Sequence, residues 1–422
     1  MHEQSGNRRD FILYAGAAAA GLASTIALPP ARAAQKKISF LTWNISDQQE
    51  LFKQWIAEFK KIRPDVEVEW LDKNGTEYAA YYQTQVMAGT PPDIIDTQGA
   101  LWLEYAAAGG LMDLTPYLEK DADVRARFNA AYLANWKLEN KNYMLPFLLT
   151  KTMVMFNRTM FKASDIAEPP ASFEQMMSSS AKMASGDKSG LLLLNFDWLY
   201  WPMFKMNGVD LLTADMKKAA FNTPQAVAVL EALTQQTAGG GINKISWTGR
   251  WTEPIGAFAS GNVGMLMAHS PAFFVIRGQA PWLNANTFGV ANAPGGWSTP
   301  NSHGWGISKG SRHPEEAWEF LKMATSERWT QRLSESRKVV TGNIASDKAI
   351  LEAMRSQDPL AAQVLQTQLE NTDKLTGNWP LPNDARVKQA FYPEIQNAVL
   401  GRKSAAQALK DAESKVNRVL AA

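Results

Sequence analysis

Cysteine is absent from all 422 residues, which removes disulfides, thiolate metal sites, a cysteine nucleophile and the lipid-bearing cysteine that tethers many exported proteins. Histidine is nearly as scarce, with 4 in the chain. Beyond the first thirty-odd residues only His269, His303 and His313 remain, with no His-x-x-x-His pair and no Asp-rich calcium loop, so no metal is expected. A phosphate-binding Walker loop and a dinucleotide fingerprint are also missing, and with them any expected nucleotide or other cofactor. Nor is one sign of charge in excess. Basic residues number 43 against 41 acidic ones, a net +2, and no basic stripe suits a phosphate backbone, so nucleic acid is not an expected partner. With 45% hydrophobic and 20% charged residues, the body of the chain fits neither a disordered nor a multispanning protein. Its length suggests two or three domains.

One weakly apolar stretch opens the chain. Leu13 to Leu28 is rich in Ala and Gly and is short for the ~20 apolar residues of a membrane span. It comes after the twin-arginine sequence Asn7-Arg8-Arg9-Asp10-Phe11-Ile12 and precedes Ala31-Arg32-Ala33, a small-x-small cleavage site. Charged, apolar and small-residue regions in that order predict a twin-arginine (Tat) signal peptide over residues 1–33, hence export of a folded protein to the periplasm. Without cysteine, the mature protein is expected to be free and not a lipoprotein.

Downstream of the leader, strand and helix patterns alternate. A strand over Ile38–Trp43 leads to a helix from about Asp47 to Ile62, with Leu51, Trp55, Phe59 and Ile62 at helical spacing and Pro64 as a stop. Val66, Val68 and Trp70 alternate with glutamates as a half-buried strand, a helix spans about Tyr78 to Met87, and Ile94-Ile95 form a short strand. This β-α-β-α-β order predicts a mostly parallel, helix-covered sheet. Farther on, Thr152–Phe156 reads as a strand, and Ser172, Thr223 with Pro224, Pro314, and Ser404 with Gln407 mark helix starts. The mature chain carries no internal repeat.

The tryptophans point to a ligand. There are 15, and many stand beside groups able to form paired hydrogen bonds. Trp43 adjoins Asn44 and Asp47; Asn195, Asp197, Trp198 and Trp201 form one cluster, and Trp247, Arg250 and Trp251 another. Trp297, His303 and Trp305 flank a Gly-rich turn, and Trp379 precedes Pro380. Flat aromatic faces with such polar groups suit a sugar, which offers apolar C–H faces and a rim of hydroxyls. Any single tryptophan fits core packing equally well. Arg250 has two readings, an exposed charge at a helix start or a cleft cation for a carboxylate or phosphate.

Six segments in order resemble the family 1 extracellular solute-binding proteins, the maltose-binding-protein-like sugar-binding components of ABC importers. They are Phe40–Asn44 (FLTWN); Met87–Asp96 with Gly109–Leu114 (GGLMDL); Tyr143–Phe147 with Met155–Asn157; Phe258–Met265 (FASGNVGM); Gly304–Lys309 with the helix His313–Met323; and Trp379-Pro380 with the helix after Ser404. The resemblance implies a two-lobed α/β periplasmic-binding fold, type II-like, with two mixed, mostly parallel sheets and a hinge. Its segments are 34–150 and 269–335 in the first lobe and 151–268 and 336–422 in the second, with crossings near Thr150, Ser308 and Val340. It places Trp43, Asn44 and Asp47 in the first cleft loop, Thr97 and Gln98 after the Asp96 strand, and Thr150 at a crossing. Asp197, Trp198 and Trp201 come from the second lobe, His269 and Ser270 from the second crossing region, with Gly304 and Trp305 after it. Arg250 and Trp379 complete the candidate ligand residues. The sequence departs from the family pattern at His269-Ser270-Pro271, where Gly-Ser-Trp is usual, and at Met144, where Gly is usual.

The function this implies is that of a non-catalytic, monomeric binding component that carries a sugar or oligosaccharide to ABC importer membrane subunits. A polyol or glycerol phosphate-type ligand is the alternative. An exported glycoside-acting enzyme is the second, and its motifs are incomplete. Gly306-Ile307-Ser308-Lys309-Gly310 matches a hydrolase elbow, but the only later histidine is His313, with no acid between them. A glycosidase pair would have to come from residues such as Asp96 and Asp197.

Overall fold

The strand Leu145–Asn157 organises the chain, because every one of its 13 residues is buried. Such a strand must be apolar on both faces, and its sequence LPFLLTKTMVMFN nearly is. The computed structural model describes residues 35–99, 101–196, 199–376, 381 and 383–422. The leader, residues 1–33, and Asp197, Trp198 and Trp379 lie outside the described residues.

The strands are β1 Lys36–Trp43, β2 Val66–Lys73, β3 Ile94–Gln98, the short hairpin β4 Lys137–Leu138 and β5 Lys141–Asn142, β6 Leu145–Asn157, β7 Ser189–Leu192, β8 Val263–His269, β9 Phe288–Asn292 and β10 Pro300–Ile307. Eight form one sheet ordered β2-β1-β3-β10-β6-β8-β7, with β9 also on β6. The β1–β2, β1–β3 and β7–β8 pairs are parallel, whereas β10 and β6 run antiparallel to their neighbours. The two expected sheets are thus joined through a shared strand. Up to Lys151, β6 bonds to β10; from Thr152 onward it bonds to β8 and β9.

Side-chain alternation then builds four cores. On β1, Phe40 joins Trp55, Trp305 and Phe320 on one face, while Leu41 joins Tyr78, Trp102 and Trp136 on the other. On β6, Val154 and Phe156 meet Trp201, Phe204 and Phe391, while Met153 and Met155 meet Leu266, Phe273 and Leu365. Gly289 has a specific reason to be glycine: a Cβ there would lie 2.3 Å from the Phe156 ring.

The expected β-α-β-α-β elements are seen as β1, the helix Gln49–Ile62, β2, the helix Gly75–Met87 and β3, with starts two or three residues from those expected at β1 and at both helices. Ser172 and Thr223 accept from the backbone N–H groups of Gln175 and Ala226, at 3.1 and 3.2 Å. At Ser404 only half of the capping box forms: its hydroxyl accepts from Gln407 N, but the Gln407 amide donates to Asp411 Oδ1 at 2.7 Å.

Beyond residue 269, the chain stays on the β8 side of the sheet. The helix Pro271–Gln279 and β9 pack with Met153, Met155 and Leu266 in the second lobe, because β9 pairs with the distal half of β6. The chain then rejoins the proximal half of β6 at Thr299-Pro300, where Thr299 N donates to Thr152 Oγ1 at 2.9 Å and β10 begins its pairing.

A third crossing, at Val340–Gly342, is fastened by Asp347. Its carboxylate accepts from Thr341 N, Thr341 Oγ1 and Gly342 N at 2.8, 2.9 and 2.9 Å. Burial outweighs these donors and raises the Asp347 pKa to about 6. A raised pKa stabilises the fold below the unfolded carboxyl value, and that stability is lost as pH rises through about 6. Asp347→Asn does not titrate. Between about pH 4 and 7 the wild type is expected to lose about 2 kcal/mol relative to this variant, as read by chemical denaturation across pH. Parallel curves for the two proteins would show that Asp347 is not the titrating group.

Candidate functional site

In parallel strands the C-terminal ends share one edge, and open α/β sheets bind ligands outside that edge. Here the edge carries Trp43 from β1, Lys73 from β2 and Gln98 from β3, joined by the first residues of antiparallel β10. Trp43 is half-buried and lies on Tyr78, ring centroids 5.1 Å apart and planes 26° apart. Gly75 lets the chain pass close by, since a Cβ there would sit 3.1 Å from the indole. The Trp43 N–H donates to Asp96 Oδ2 at 3.2 Å, and both Asp96 oxygens lie 3.0–3.1 Å from His303 Nδ1. Asp96 is fully buried. Burial, and then the Asp96 charge, raises the Tyr78 phenol far above its ordinary pKa, so Tyr78 stays neutral.

A line of polar contacts runs from this edge into the second lobe. Gln98 Nε2 donates to Asn301 Oδ1 at 2.6 Å. Thr150 Oγ1 stands 3.5 Å from both Asn301 O and His269 Nδ1. Ser270 Oγ donates to Gln368 Oε1 at 2.9 Å. Beside them, Lys151 reaches out of β6 to Asn292 Oδ1 at 2.9 Å and to the Glu370 carbonyl. Burial lowers Lys151 to about 8, against the opposing pull of Glu370 and Asp373. It pushes His269 down to about 3, leaving a neutral imidazole with one donor and one acceptor nitrogen. Thr97, also fully buried, has no hydrogen-bond partner for its hydroxyl among the described residues.

The structure thus brings Trp43, Thr97, Gln98, His269 and Ser270 to the ends of β1, β3 and β8, and Thr150 beside them from the middle of β6. Asn44 follows Trp43 in a left-handed conformation, φ 51°, with its N–H on Lys73 O. Asp47 is exposed and pairs with Arg337 at 3.1 Å. Four other candidates belong elsewhere. Trp201 is wholly enclosed in the second-lobe core, 4.7 Å from the Phe391 ring, and Trp305 is enclosed among Phe40, Trp55 and Phe147. Gly304 serves packing: a Cβ would lie 3.0 Å from Trp136 and 3.1 Å from Leu145 O. Arg250 takes its exposed reading, with 69% of its side chain accessible and an ion pair to Glu253. Asn301, Asp96, His303 and Lys151 were not among the candidate ligand residues.

The hydrolase elbow is not assembled. Ser308 is buried with its hydroxyl 3.3 Å from Tyr82 Oη, and His313 turns to Glu316, 3.9 Å away. Among the described residues no group of three or more His, Cys, Asp or Glu has the arrangement of a metal site, and no helix is long and apolar enough to cross a membrane.

A helix-covered mixed sheet whose two halves share β6, with polar residues gathered at its strand ends, is the architecture of a two-lobed binding-protein fold. Residues 42–331 match the family model for bacterial extracellular solute-binding proteins, and the chain belongs to that family. It is similar to a Brucella abortus binding protein, 23% identical over 80% of this chain and 82% of the relative. It is also similar to the multiple sugar-binding protein of Streptococcus mutans, 22% identical over 90% and 92% of the two chains. Among solved structures, that of the sugar-binding protein MalE of Xanthomonas citri superimposes with a TM-score of 0.79 at 17% identity, covering 92% of this chain and 98% of that one.

Proposed function

We propose that the chain is the exported substrate-binding component of an ABC importer and carries a neutral sugar or oligosaccharide. The observation that carries this reading is the stacked Trp43–Tyr78 pair beside the contacts from Gln98 through Asn301 and Thr150 to His269. A flat ring meets the C–H face of a sugar, while amide, hydroxyl and neutral imidazole groups can each give or accept a hydrogen bond from its hydroxyls. Ligand then favours a closed form, because only there does it touch groups of both lobes at once. The protein acts as a carrier without catalysis, delivering its cargo to importer membrane subunits as a free periplasmic monomer after Tat export. The sugar-binding relative and the family membership support this reading. A phosphorylated polyol is disfavoured because Arg250, the cation singled out for it, is exposed and already paired with Glu253.

A thermal-shift screen of saccharides, polyols and glycerol phosphate against wild type and Arg250→Ala tests this. Neutral saccharides are expected to raise the melting temperature of both proteins equally, since ligand at a hundred times its Kd adds about 2.7 kcal/mol to the native state. A response only to phosphorylated compounds, lost in Arg250→Ala, would overturn the neutral-sugar reading. Glycoside turnover abolished by Asp96→Asn would overturn the carrier reading.

A further inference from the structure

A cavity of about 570 Å³ lies beside β9 and the helices Ile344–Gln357 and Pro359–Leu369. Val290, Leu351, Pro359 and Ala362 give it apolar walls, and two arginines, Arg158 and Arg355, line it as well. Arg158 is held in place: its Nε donates to Phe288 O at 2.9 Å and its guanidinium lies 5.0 Å from the centre of the Phe156 ring. Neither arginine has a carboxylate partner among the described residues. Arg355 has only Gln366 Oε1, at 3.5 Å. Nearby Arg277, by contrast, pairs with Asp358.

Among the described residues, the one acid lining the cavity is already occupied. Glu370 accepts from Asn292 Nδ2 on one oxygen at 2.6 Å and from Gln366 Nε2 on the other at 3.1 Å. Two arginines without a carboxylate partner beside an apolar wall suit a ligand with both a carbon skeleton and anionic oxygens, since Arg binds carboxylate and phosphate through paired N–H groups. We propose that this cavity is a second ligand site, separate from the strand-end site, that takes a small organic anion. Its location gives it reach. Asn292 and Glu370, which line it, also hold Lys151, where β6 exchanges β10 for β8 and β9.

Isothermal titration calorimetry of the full chain with citrate, and separately with inorganic phosphate, tests the site at low ionic strength. Citrate is expected to bind one site with a Kd below about 1 mM. Arg355→Gln and the double variant Arg158→Gln/Arg355→Gln are expected to weaken it by about tenfold and by more. Arg355 is exposed, so the single variant keeps the test valid if the double variant fails to fold. No saturable citrate binding up to about 10 mM, binding unchanged in Arg355→Gln, or phosphate binding as tight as citrate would each overturn the proposal. The last result would reveal a bare charge contact in which the apolar wall has no part. Neither variant touches the strand-end site, so the outcome does not depend on what that site carries.

Discussion

Trp43→Ala is expected to weaken saccharide binding by roughly 100-fold, about 2.7 kcal/mol, the scale of a central aromatic anchor. The indole supplies the flat surface at the end of β1, and Tyr78 beneath it is fully buried and cannot take its place. Trp43→Phe keeps a ring over Tyr78 and is expected to retain most of the affinity. Calorimetric titration with the best saccharide from the thermal screen measures both. Wild-type affinity in a folded Trp43→Ala protein would remove Trp43 from the site and leave the polar groups alone to account for binding.

The second large effect falls on stability. Trp305 is 1% exposed and touches Phe40, Trp55 and Phe147, with ring centroids 4.3–6.2 Å away. Trp305→Ala is expected to cost ~3–5 kcal/mol through lost burial and the cavity left behind, while the protein that remains folded binds saccharide as the wild type does. Denaturant unfolding and titration at low temperature separate the two quantities. Lost affinity without lost stability would make Trp305 a ligand group after all.

These two tryptophans mark how far the sequence is informative. Both stand among polar neighbours, and composition alone treats them alike. Their fates diverge through strand geometry: Trp43 is the last residue of β1, at the sheet edge, whereas Trp305 pairs with Asp96 and Leu145 in the middle of β10, just after a register shift at His303/Gly304. The opening β-α-β-α-β order and the helix caps were legible because each depends on residues only a few positions apart. Asn301 was not, because its value lies in a bond to Gln98, 203 residues earlier, created by an antiparallel pairing that no local pattern announces. Likewise, the pairing of β9 with β6 was not legible, because its partner lies far back along the chain. Trp201 sits next to Pro202 and close to Asn195, like a cleft residue, yet Phe391 from a distant helix closes over it.

Because β6 belongs to both halves of the sheet, its pleat imposes a common reading frame on them. Successive residues face opposite sides, so one residue inserted at Lys151 would turn Met153 and Met155 toward the helices that now receive Val154 and Phe156, and reverse that whole half. A loop hinge absorbs such an insertion, but a strand hinge does not. In this chain the spacing between Leu145 and Asn157 is therefore bound to be far less tolerant of insertions and deletions than the turns that feed β7 or β9.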